Sequence, residues 1–271
     1  MPNDGQVSGP RFEERGGLPG LAAALGAGAA GWMSTRAGGV SRGPWASLNL
    51  GDHVGDEPAA VLANRHRLAG ALGVRPVFLR QVHGTRVVPI GPDSPDGLEA
   101  DACYTQAHGV ACTVLVADCL PILLASADGA SVAAVHAGWR GLAGGVLEAL
   151  VDAWPAVRDP AARAACHVWI GAAIGAAAFE VGDEVWQAFV QAAAADASAF
   201  APSSAAPGRW RADLAQLARA RLRRLGFERV QGHDGSAAWC TATQPSTFFS
   251  HRRDAARLGA AGRMAACVWR R

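Results

Sequence analysis

The chain contains no lysine, so all 25 of its basic residues are arginines. Without a lysine amine the protein has no Schiff base, no lysine general base and no phosphate loop of the Walker type. The sequence also lacks an apolar run long enough to cross a bilayer. Because the net charge is only +2, we expect neither nucleic acid nor a membrane surface as a partner.

Pairing patterns are missing among the cysteines and the histidines. None of the six cysteines forms a C-x-x-C pair, and most lie in apolar runs, so we expect reduced thiols and a cytoplasmic protein. A signal peptide is not expected, because Glu13 and Glu14 stand where positive charge is required. The eight histidines include no His-x-His pair, whereas a multicopper laccase of the usual kind needs more histidines, several of them in such pairs.

Length and pattern favour one large domain. A chain of 271 residues, 50% of them hydrophobic, can bury one continuous core. Residues 1–31 show little periodicity, and we expect them to form a loose N-terminal arm. No repeat or linker divides residues 32–271, which we expect to form a single catalytic domain of the α+β class. The helical patterns in it include residues 142–154, 183–200 and 211–225. No heptad seam is visible, and we expect a monomer.

Three separated apolar runs end in residues that bind metals. The runs at residues 111–117 and 131–135 are predicted to be buried strands. Cys119 follows the first run, His136 follows the second, and His83 ends a third. Zn²⁺ accepts two imidazoles and a thiolate, and a catalytic site leaves its fourth position open. A metal site, a Cys–His catalytic pair, and a buried thiol with two structural histidines all remain open at this point.

The residues around this group favour a functional site. An imidazole ligand needs an acceptor for its second ring nitrogen, and Asp101 or Asp118 could supply one. Polar residues at the ends of buried runs are unusual in a purely structural role. Gly84, Gly138 and Gly141 allow a ligand to approach the backbone closely.

Several arginines lie in predicted loops beside glycine or histidine. A guanidinium is a planar multiple donor that suits an anionic substrate such as phosphate. The candidates for substrate contact are Arg36, Arg140, Arg252 and Arg253, together with His251 in the same segment. Ion pairs between loops are the alternative role for these arginines. The arginines within residues 219–224, in contrast, are predicted to lie on the solvent face of a helix.

Seven motifs occur together in one order along the chain. They are TRAGGVS (35–41), SLNLGDHVGD (47–56), QVHG (81–84), ADCLP (117–121), HAGWRG (136–141), FEVG (179–182) and FFSHRRD (248–254). In this order they resemble the YfiH family, also called the polyphenol oxidoreductase laccase or peptidoglycan editing factor family. The resemblance covers about residues 32–269.

This resemblance implies a fold and an activity. The implied fold is α+β, with mixed β-sheets packed together and surrounding helices, related to the catalytic domain of cytotoxic necrotising factor. The implied cofactor is a catalytic zinc held by His83, Cys119 and His136. The implied activities are phosphorolysis of inosine, guanosine, adenosine and methylthioadenosine, and deamination of adenosine. One loop departs from the family pattern, since Ala173 and Ala176 stand where the family often carries proline.

Three enzyme hypotheses use these residues. The first is a zinc-dependent purine nucleoside phosphorylase and adenosine deaminase, with Cys119 as a metal ligand and with nucleoside and phosphate as partners. The second is a cysteine hydrolase that cleaves an amide bond in muropeptide precursors, with Cys119 as nucleophile and His136 as base. The third is a copper-dependent polyphenol oxidase, because copper also binds His/Cys sites. A non-enzymatic binding protein is the remaining alternative.

Overall fold

Three β-sheets and seven α-helices make up residues 9–271, the part of the chain that the computed structural model describes. The strands are β1 (Phe12–Arg15), β2 (Leu18–Ala23), β3 (Ala29–Ser34), β4 (Arg75–Arg80), β5 (Val87–Pro89), β6 (Leu98–Glu99), β7 (Ala102–Thr105), β8 (Val110–Val116), β9 (Leu120–Ala125), β10 (Val132–Ala137), β11 (His167–Ile170), β12 (Glu180–Gly182), β13 (Phe200–Pro202), β14 (Arg209–Ala212), β15 (Arg229–Gly232) and β16 (Met264–Arg270).

The helices are short apart from the first. They are α1 (Pro58–Leu72), α2 (Trp139–Gly144), α3 (Val146–Ala153), α4 (Pro160–Ala165), α5 (Asp183–Val190), α6 (Leu214–Arg224) and α7 (Ala256–Leu258). A π-helical turn over His251–Ala255 leads into α7. Within residues 9–271, no helix combines the length and the apolar character that a membrane crossing requires.

The two large sheets are both mixed. A seven-stranded sheet has the order β1-β2-β3-β16-β8-β4-β6, a six-stranded sheet has the order β15-β11-β9-β10-β7-β5, and a small sheet has the order β12-β14-β13. Strand β4 runs parallel to β8, and β11 runs parallel to β15, whereas β9 and β10 are antiparallel. The predicted α+β fold with mixed sheets is therefore confirmed.

The large sheets pack face to face and are covered by helices. Val114 of β8 and Leu123 of β9 belong to the apolar core between the sheets. On the other face of the six-stranded sheet, Leu150 of α3 and Leu222 of α6 enter a second core. Leu68 of α1 packs on the outer face of the seven-stranded sheet. Because β8, β9 and β10 are buried on both faces, their sequences are continuous apolar runs.

The N-terminal segment differs from the loose arm expected for residues 1–31. Residues 1–8 lie outside the described part of the chain. Strands β1 and β2 form a hairpin at the edge of the seven-stranded sheet, and β2 also pairs with β3. A Cβ at Gly20 would come within 2.0 Å of the Trp32 indole. The small residues that suggested a loose arm therefore allow the hairpin to pack tightly over an aromatic ring.

Candidate active site

Strand register gathers the candidate site at one edge of the two large sheets. Strand β9 begins directly after Cys119 and pairs antiparallel with β10, which carries His136 near its end. Strand β7 begins directly after Asp101 and pairs with β10 on the other side, and the N–H of His136 donates to the Asp101 carbonyl at 2.7 Å. His83 comes from the other sheet, a few residues beyond the end of β4. The fold thus brings residues that are far apart in the sequence together at this edge.

The three side chains that the sequence singled out as metal ligands lie together. One donor atom from each of His83, Cys119 and His136 lies within 4.8 Å of the others. Nε2 of His83 is 3.7 Å from Sγ of Cys119, and the two imidazole rings meet edge-on with their centroids 4.8 Å apart. Two imidazoles and a thiolate form a donor set that zinc accepts with one position open. The group could therefore hold a metal ion.

Asp101 is the fully buried carboxylate that organises this group. Its Oδ1 lies 2.8 Å from Nδ1 of His136, so Nε2 is the ring nitrogen left for a metal. The same carboxylate accepts the backbone N–H groups of Val82, His83 and Gly84. Burial alone would raise the pKa of Asp101, but these hydrogen bonds, led by that of His136, hold it below the ordinary value. Of the two carboxylates that the sequence suggested, Asp101 is the one that orients a histidine.

Two residues of the site have a left-handed backbone. The φ angle is 60° at His83 and 88° at Asp118. Such a conformation costs roughly 1–3 kcal/mol in residues other than glycine and persists where the surroundings enforce it. At His83 the enforcement comes from Asp101, which accepts three consecutive N–H groups around this residue. The strain at His83 therefore serves to place its ring beside the other two donors.

Asp118 holds a second segment against the site. Its Oδ1 accepts the hydroxyl of Thr241 at 2.6 Å, and its Oδ2 accepts the hydroxyl of Ser250 at 3.1 Å. The same Oδ2 accepts the backbone N–H of Arg252 at 2.7 Å. These bonds dock the π-helical turn, which carries His251 and Arg252, beside Cys119. Asp118 therefore positions the turn and does not orient a histidine.

The electrostatics of the group favour a thiolate. Burial alone would raise the pKa of Cys119, but the charge of His136 and hydrogen bonds with both histidines lower it to about 6. Burial alone would lower the pKa of His136, whereas Cys119 and Asp101 raise it to about 9. A thiolate is the form of cysteine that binds metals and attacks substrates. The thiolate of Cys119 is therefore the form that a metal ligand and a nucleophile share, whereas His136 must release its proton to bind a metal.

Gly138 lies so close to the group that a side chain does not fit there. A Cβ would lie 2.8 Å from Cδ2 of His83 and 3.0 Å from Sγ of Cys119. We expect Gly138→Ala to displace these two side chains and to weaken zinc binding by about tenfold or more. Zinc titration by calorimetry measures this effect. The control is Gly70→Ala on α1, where a Cβ meets open space, and equal zinc affinity in the two variants would contradict the packing argument.

The three side chains open into a cavity of about 460 Å³. Apolar side chains contribute to its lining, among them Trp139, Ile174 and Phe179. A cavity of this size with apolar walls and a few polar groups suits a small ligand that has a ring and a polar or anionic part. Besides His83 and His136, the basic side chains in the lining are His53, Arg140, His251, Arg252 and Arg263.

Three of the five residues predicted to contact substrate line this cavity, namely Arg140, His251 and Arg252. The guanidinium of Arg140 lies 4.5 Å from the centroid of the Trp139 ring. The guanidinium of Arg252 lies 5.5 Å from the centroid of the Phe179 ring. Both charges are therefore held over aromatic faces beside the cavity, where an anionic ligand can reach them.

Arg36 and Arg253 lie outside the described lining of the cavity and join loops instead. Nε of Arg36 donates to the carbonyl of Ala46 at 3.0 Å, and Nη1 donates to that of Pro245 at 2.8 Å. Arg253 pairs with Asp254 through two nitrogens. It also donates to the carbonyls of Thr241, Ala242 and Phe248. The loop-joining role, which the sequence left open for all four arginines, therefore describes these two.

Arg36→Met should accordingly lower stability and leave substrate binding intact. The change removes two hydrogen bonds to loop carbonyls and the contact with Phe249, whose ring centroid is 4.6 Å from the guanidinium. We expect the free energy of unfolding to fall by about 1–3 kcal/mol. Denaturant unfolding measures this loss, and steady-state kinetics should give an unchanged KM for the substrate. If the variant had wild-type stability but a raised KM for its substrate, Arg36 would contact the substrate after all.

His53 and Arg263 also line the cavity, although neither was predicted to contact substrate. Arg263 follows Gly262 in a loop, so it meets the criterion that selected the other arginines. His53 lies in the segment SLNLGDHVGD, but its position in a loop gave no indication of what it faces. The glycine beside Arg263, directly before the last strand, is therefore a sequence feature that could have predicted substrate contact for this arginine.

Known proteins of similar length share this fold. The family model described as multi-copper polyphenol oxidoreductase laccase matches residues 30–271. A purine nucleoside phosphorylase of Pseudomonas aeruginosa is 49% identical over 88% of this chain and 91% of its own. The purine nucleoside phosphorylase YfiH of Escherichia coli is 46% identical over 89% of this chain and 94% of its own.

Solved structures agree with these sequence relatives. A protein of Neisseria meningitidis, 42% identical, superposes with a TM-score of 0.81 over 93% of this chain and 98% of its own. YlmD from Geobacillus stearothermophilus, 32% identical, superposes with a TM-score of 0.81 over 97% and 99%. The chain therefore belongs to the YfiH family, the multi-copper polyphenol oxidoreductase laccases of the matching family model.

Proposed function

We propose that the protein is a zinc-dependent purine nucleoside phosphorylase, with the metal held by His83, Cys119 and His136. The observation that carries the proposal is the convergence of these three donors on the cavity, in a chain whose full-length relatives are named purine nucleoside phosphorylases. The donor set fits zinc, because two imidazoles and one thiolate leave a fourth position open. When bound, the metal supplies Lewis-acid polarisation of the substrate.

The reaction needs groups that bind two substrates and support a departing base. An oxygen of phosphate forms a bond to the sugar carbon, while the bond from that carbon to the purine nitrogen breaks and its electron pair stays with the base. Positive charge develops on the sugar and negative charge on the base. Trp139 and Phe179 offer aromatic surface for the purine, Arg140 and Arg252 offer donors, and His251 can donate a proton to the leaving base.

Two carboxylates hold these groups in position. Asp101 fixes the ring of His136 and the backbone around His83. Asp118 fixes the turn that carries Arg252 and its neighbour His251. The groups that meet the substrate are thus held by buried hydrogen bonds before it arrives, which lowers the cost of orienting them during the reaction.

Deamination of adenosine is a second activity that we propose for the same site. The resemblance to the YfiH family implies it, and a metal site with an open position suits attack of water on a purine ring. The proposed nucleosides are inosine, guanosine, adenosine and methylthioadenosine. Adenosine supplied without phosphate should yield inosine, and adenosine supplied with phosphate should also yield free base; both products are separated by chromatography.

We also propose that the protein works in the cytoplasm. All six cysteines are free thiols, and five of them are buried. Reduced thiols are the normal state in a cytoplasmic protein. Detection of the protein in fractionated cells tests this location.

Metal analysis followed by incubation with inosine and phosphate tests the main proposal. We expect stoichiometric zinc, release of hypoxanthine and formation of ribose 1-phosphate, with activity lost on chelation and restored by zinc. Bound copper with oxidation of polyphenols would support the oxidase that the family name describes. A thioester on Cys119 would support the cysteine hydrolase. If the protein had neither bound metal nor turnover, a non-enzymatic binding protein would be the remaining hypothesis.

A further inference from the structure

Arg263 is a cavity residue to which the proposed function gives no task. It directly precedes β16, and its backbone N–H donates to Oδ1 of Asn49 at 2.8 Å. Its carbonyl accepts the N–H of Leu50 at 3.0 Å. A Cβ at Gly51 would lie 2.8 Å from Cγ of Arg263, so the side chain runs along the backbone of this loop. Arg263 is therefore held in place from two directions.

The guanidinium of Arg263 is oriented but forms no ion pair with a carboxylate of the described residues. Its Nη1 donates to the carbonyls of Ala261 and Gly262 at 2.9 and 3.1 Å, which fixes the plane of the group. Among the residues that the structure describes, no carboxylate lies within ion-pair distance of it. Other arginines do have such partners, among them Arg65, Arg221, Arg224 and Arg253. A half-buried guanidinium that has no carboxylate partner keeps its charge for a bound anion.

The guanidinium of Arg263 shares the cavity with the three metal donors. Arg263 lines the cavity together with Cys119 and Asp118, and their negative charges oppose the lowering of its pKa that burial causes. The carboxylate of Asp118 is occupied by its three hydrogen-bond donors. The thiolate of Cys119 is occupied by the two histidines. Arg263 thus keeps donor capacity for a ligand in the cavity.

His53 provides a second polar group at the rim of the same cavity. Its Nδ1 lies 3.4 Å from Oδ1 of Asp52, so its Nε2 is the ring nitrogen that remains for a ligand. Burial lowers the pKa of His53, and the nearby charge of Arg263 lowers it further, against the opposing effect of Asp52. The cavity therefore has a guanidinium donor and, in the neutral ring of His53, an acceptor for the hydroxyl of hydrogen phosphate, in addition to the donors of the turn that carries His251.

We propose that Arg263, assisted by His53, binds the phosphate that attacks the nucleoside. The inference rests on the proposed function and assigns the site of its anionic co-substrate. A guanidinium fork donates two parallel hydrogen bonds to phosphate oxygens. Phosphate enters as hydrogen phosphate, its oxygen bonds to the sugar carbon, and the electron pair of the broken carbon–nitrogen bond goes to the base. The proton that hydrogen phosphate loses is balanced by the proton that the base gains.

The test compares Arg263→Gln with the wild-type zinc-loaded protein. The KM for phosphate should rise about 10- to 100-fold, since charge-assisted hydrogen bonds to one anion are lost. The KM for inosine and the zinc content should stay unchanged. His53→Gln should give a smaller rise in the KM for phosphate. The matched control is Arg67→Gln, which removes a surface arginine that donates to the carbonyl of Gly38 and should alter neither KM.

Calorimetric titration with inorganic phosphate separates this inference from the proposed function. If the wild type turns over no nucleoside but binds phosphate and Arg263→Gln does not, the anion site stands while the phosphorylase proposal fails. Loss of zinc in Arg263→Gln would instead assign Arg263 to support of the Cys119 thiolate and overturn the inference. If the glutamine variant does not fold, Arg263→Lys takes its place; it keeps the charge without the fork and should bind phosphate more weakly, and equal affinity would contradict the proposal.

Discussion

Replacing Cys119 by serine should remove the bound metal and lower phosphorolysis by about a thousandfold or more. The hydroxyl does not ionise at neutral pH, so the site loses the thiolate of its three donors. The contribution of a catalytic metal is several kcal/mol, and each 1.4 kcal/mol corresponds to a factor of ten in rate. Metal analysis by mass spectrometry and steady-state kinetics with inosine measure the two losses together.

Cys267→Ala is the matched control for this substitution. Cys267 is a fully buried thiol of β16 in the core beneath α1, so its removal should lower stability and leave zinc content and KM unchanged. A Cys119→Ser protein that keeps its zinc and its phosphorolysis would show that the metal is held elsewhere. A variant that keeps zinc but loses activity would favour Cys119 as a nucleophile over Cys119 as a ligand.

Asp101→Asn should weaken both the fold and the metal site, although the two side chains have the same shape. Each carboxylate oxygen accepts two N–H groups, Oδ1 from His83 and His136 and Oδ2 from Val82 and Gly84. In asparagine, one of these oxygens becomes an NH₂ group that faces donors. Leaving buried donors unsatisfied costs about 1–3 kcal/mol each. Loss of the acceptor behind a histidine ligand lowers metal affinity by about 10- to 100-fold.

Denaturant unfolding and zinc titration at neutral pH measure these two effects. Because the folded-state pKa of Asp101 lies below its ordinary value, its contribution is full above about pH 4 and is lost as the pH falls through the folded-state pKa. The stability gap between wild type and Asp101→Asn should therefore shrink in acid. Asp128→Asn, in an exposed turn with Ser126, should show a loss of under about 1 kcal/mol. If Asp101→Asn and Asp128→Asn lost the same free energy of unfolding, Asp101 would not organise the site.

The fold class and the three-residue cluster could be predicted because local patterns encode them. The apolar runs at residues 111–117 and 131–135 correspond to β8 and β10, which are buried on both faces. Residues with polar side chains at the ends of such strands lie at a sheet edge, where they can meet. The register that brings Cys119 beside His136 and Asp101 depends on pairings between distant segments, and no single run of sequence contains it.

Element boundaries were less predictable, since glycine and tertiary contacts decide them. The helix predicted over residues 142–154 is observed as α2 and α3, which meet at Gly145 with a φ angle of +96°. The helix predicted to reach residue 200 ends at Val190 and is followed by the 3₁₀ segment Ala194–Ala199. A glycine within a helical pattern is compatible with either a straight helix or a break.

The roles of the loop arginines were the least predictable part of the site. Arg36 and Arg252 occur in similar sequence surroundings, yet Arg36 meets loop carbonyls and Arg252 faces the cavity. The partners of a guanidinium come from segments far away in sequence, such as Pro245 for Arg36. The same reason explains why Arg263 was overlooked: its environment is built by residues 49–51 and by the metal donors.

The three donors come from two sheets, so the proposed metal would link the lifetime of the protein to the supply of that metal. His83 extends from the seven-stranded sheet, His136 belongs to the six-stranded sheet, and Cys119 lies on the crossover between them. A metal ion bound by all three donors would hold the two sheets together at one edge. A ligand that binds only the native state stabilises it by roughly 2.7 kcal/mol at a hundredfold excess over its Kd. With zinc as the proposed metal, we expect zinc starvation to expose this protein to unfolding and proteolysis as well as to loss of activity.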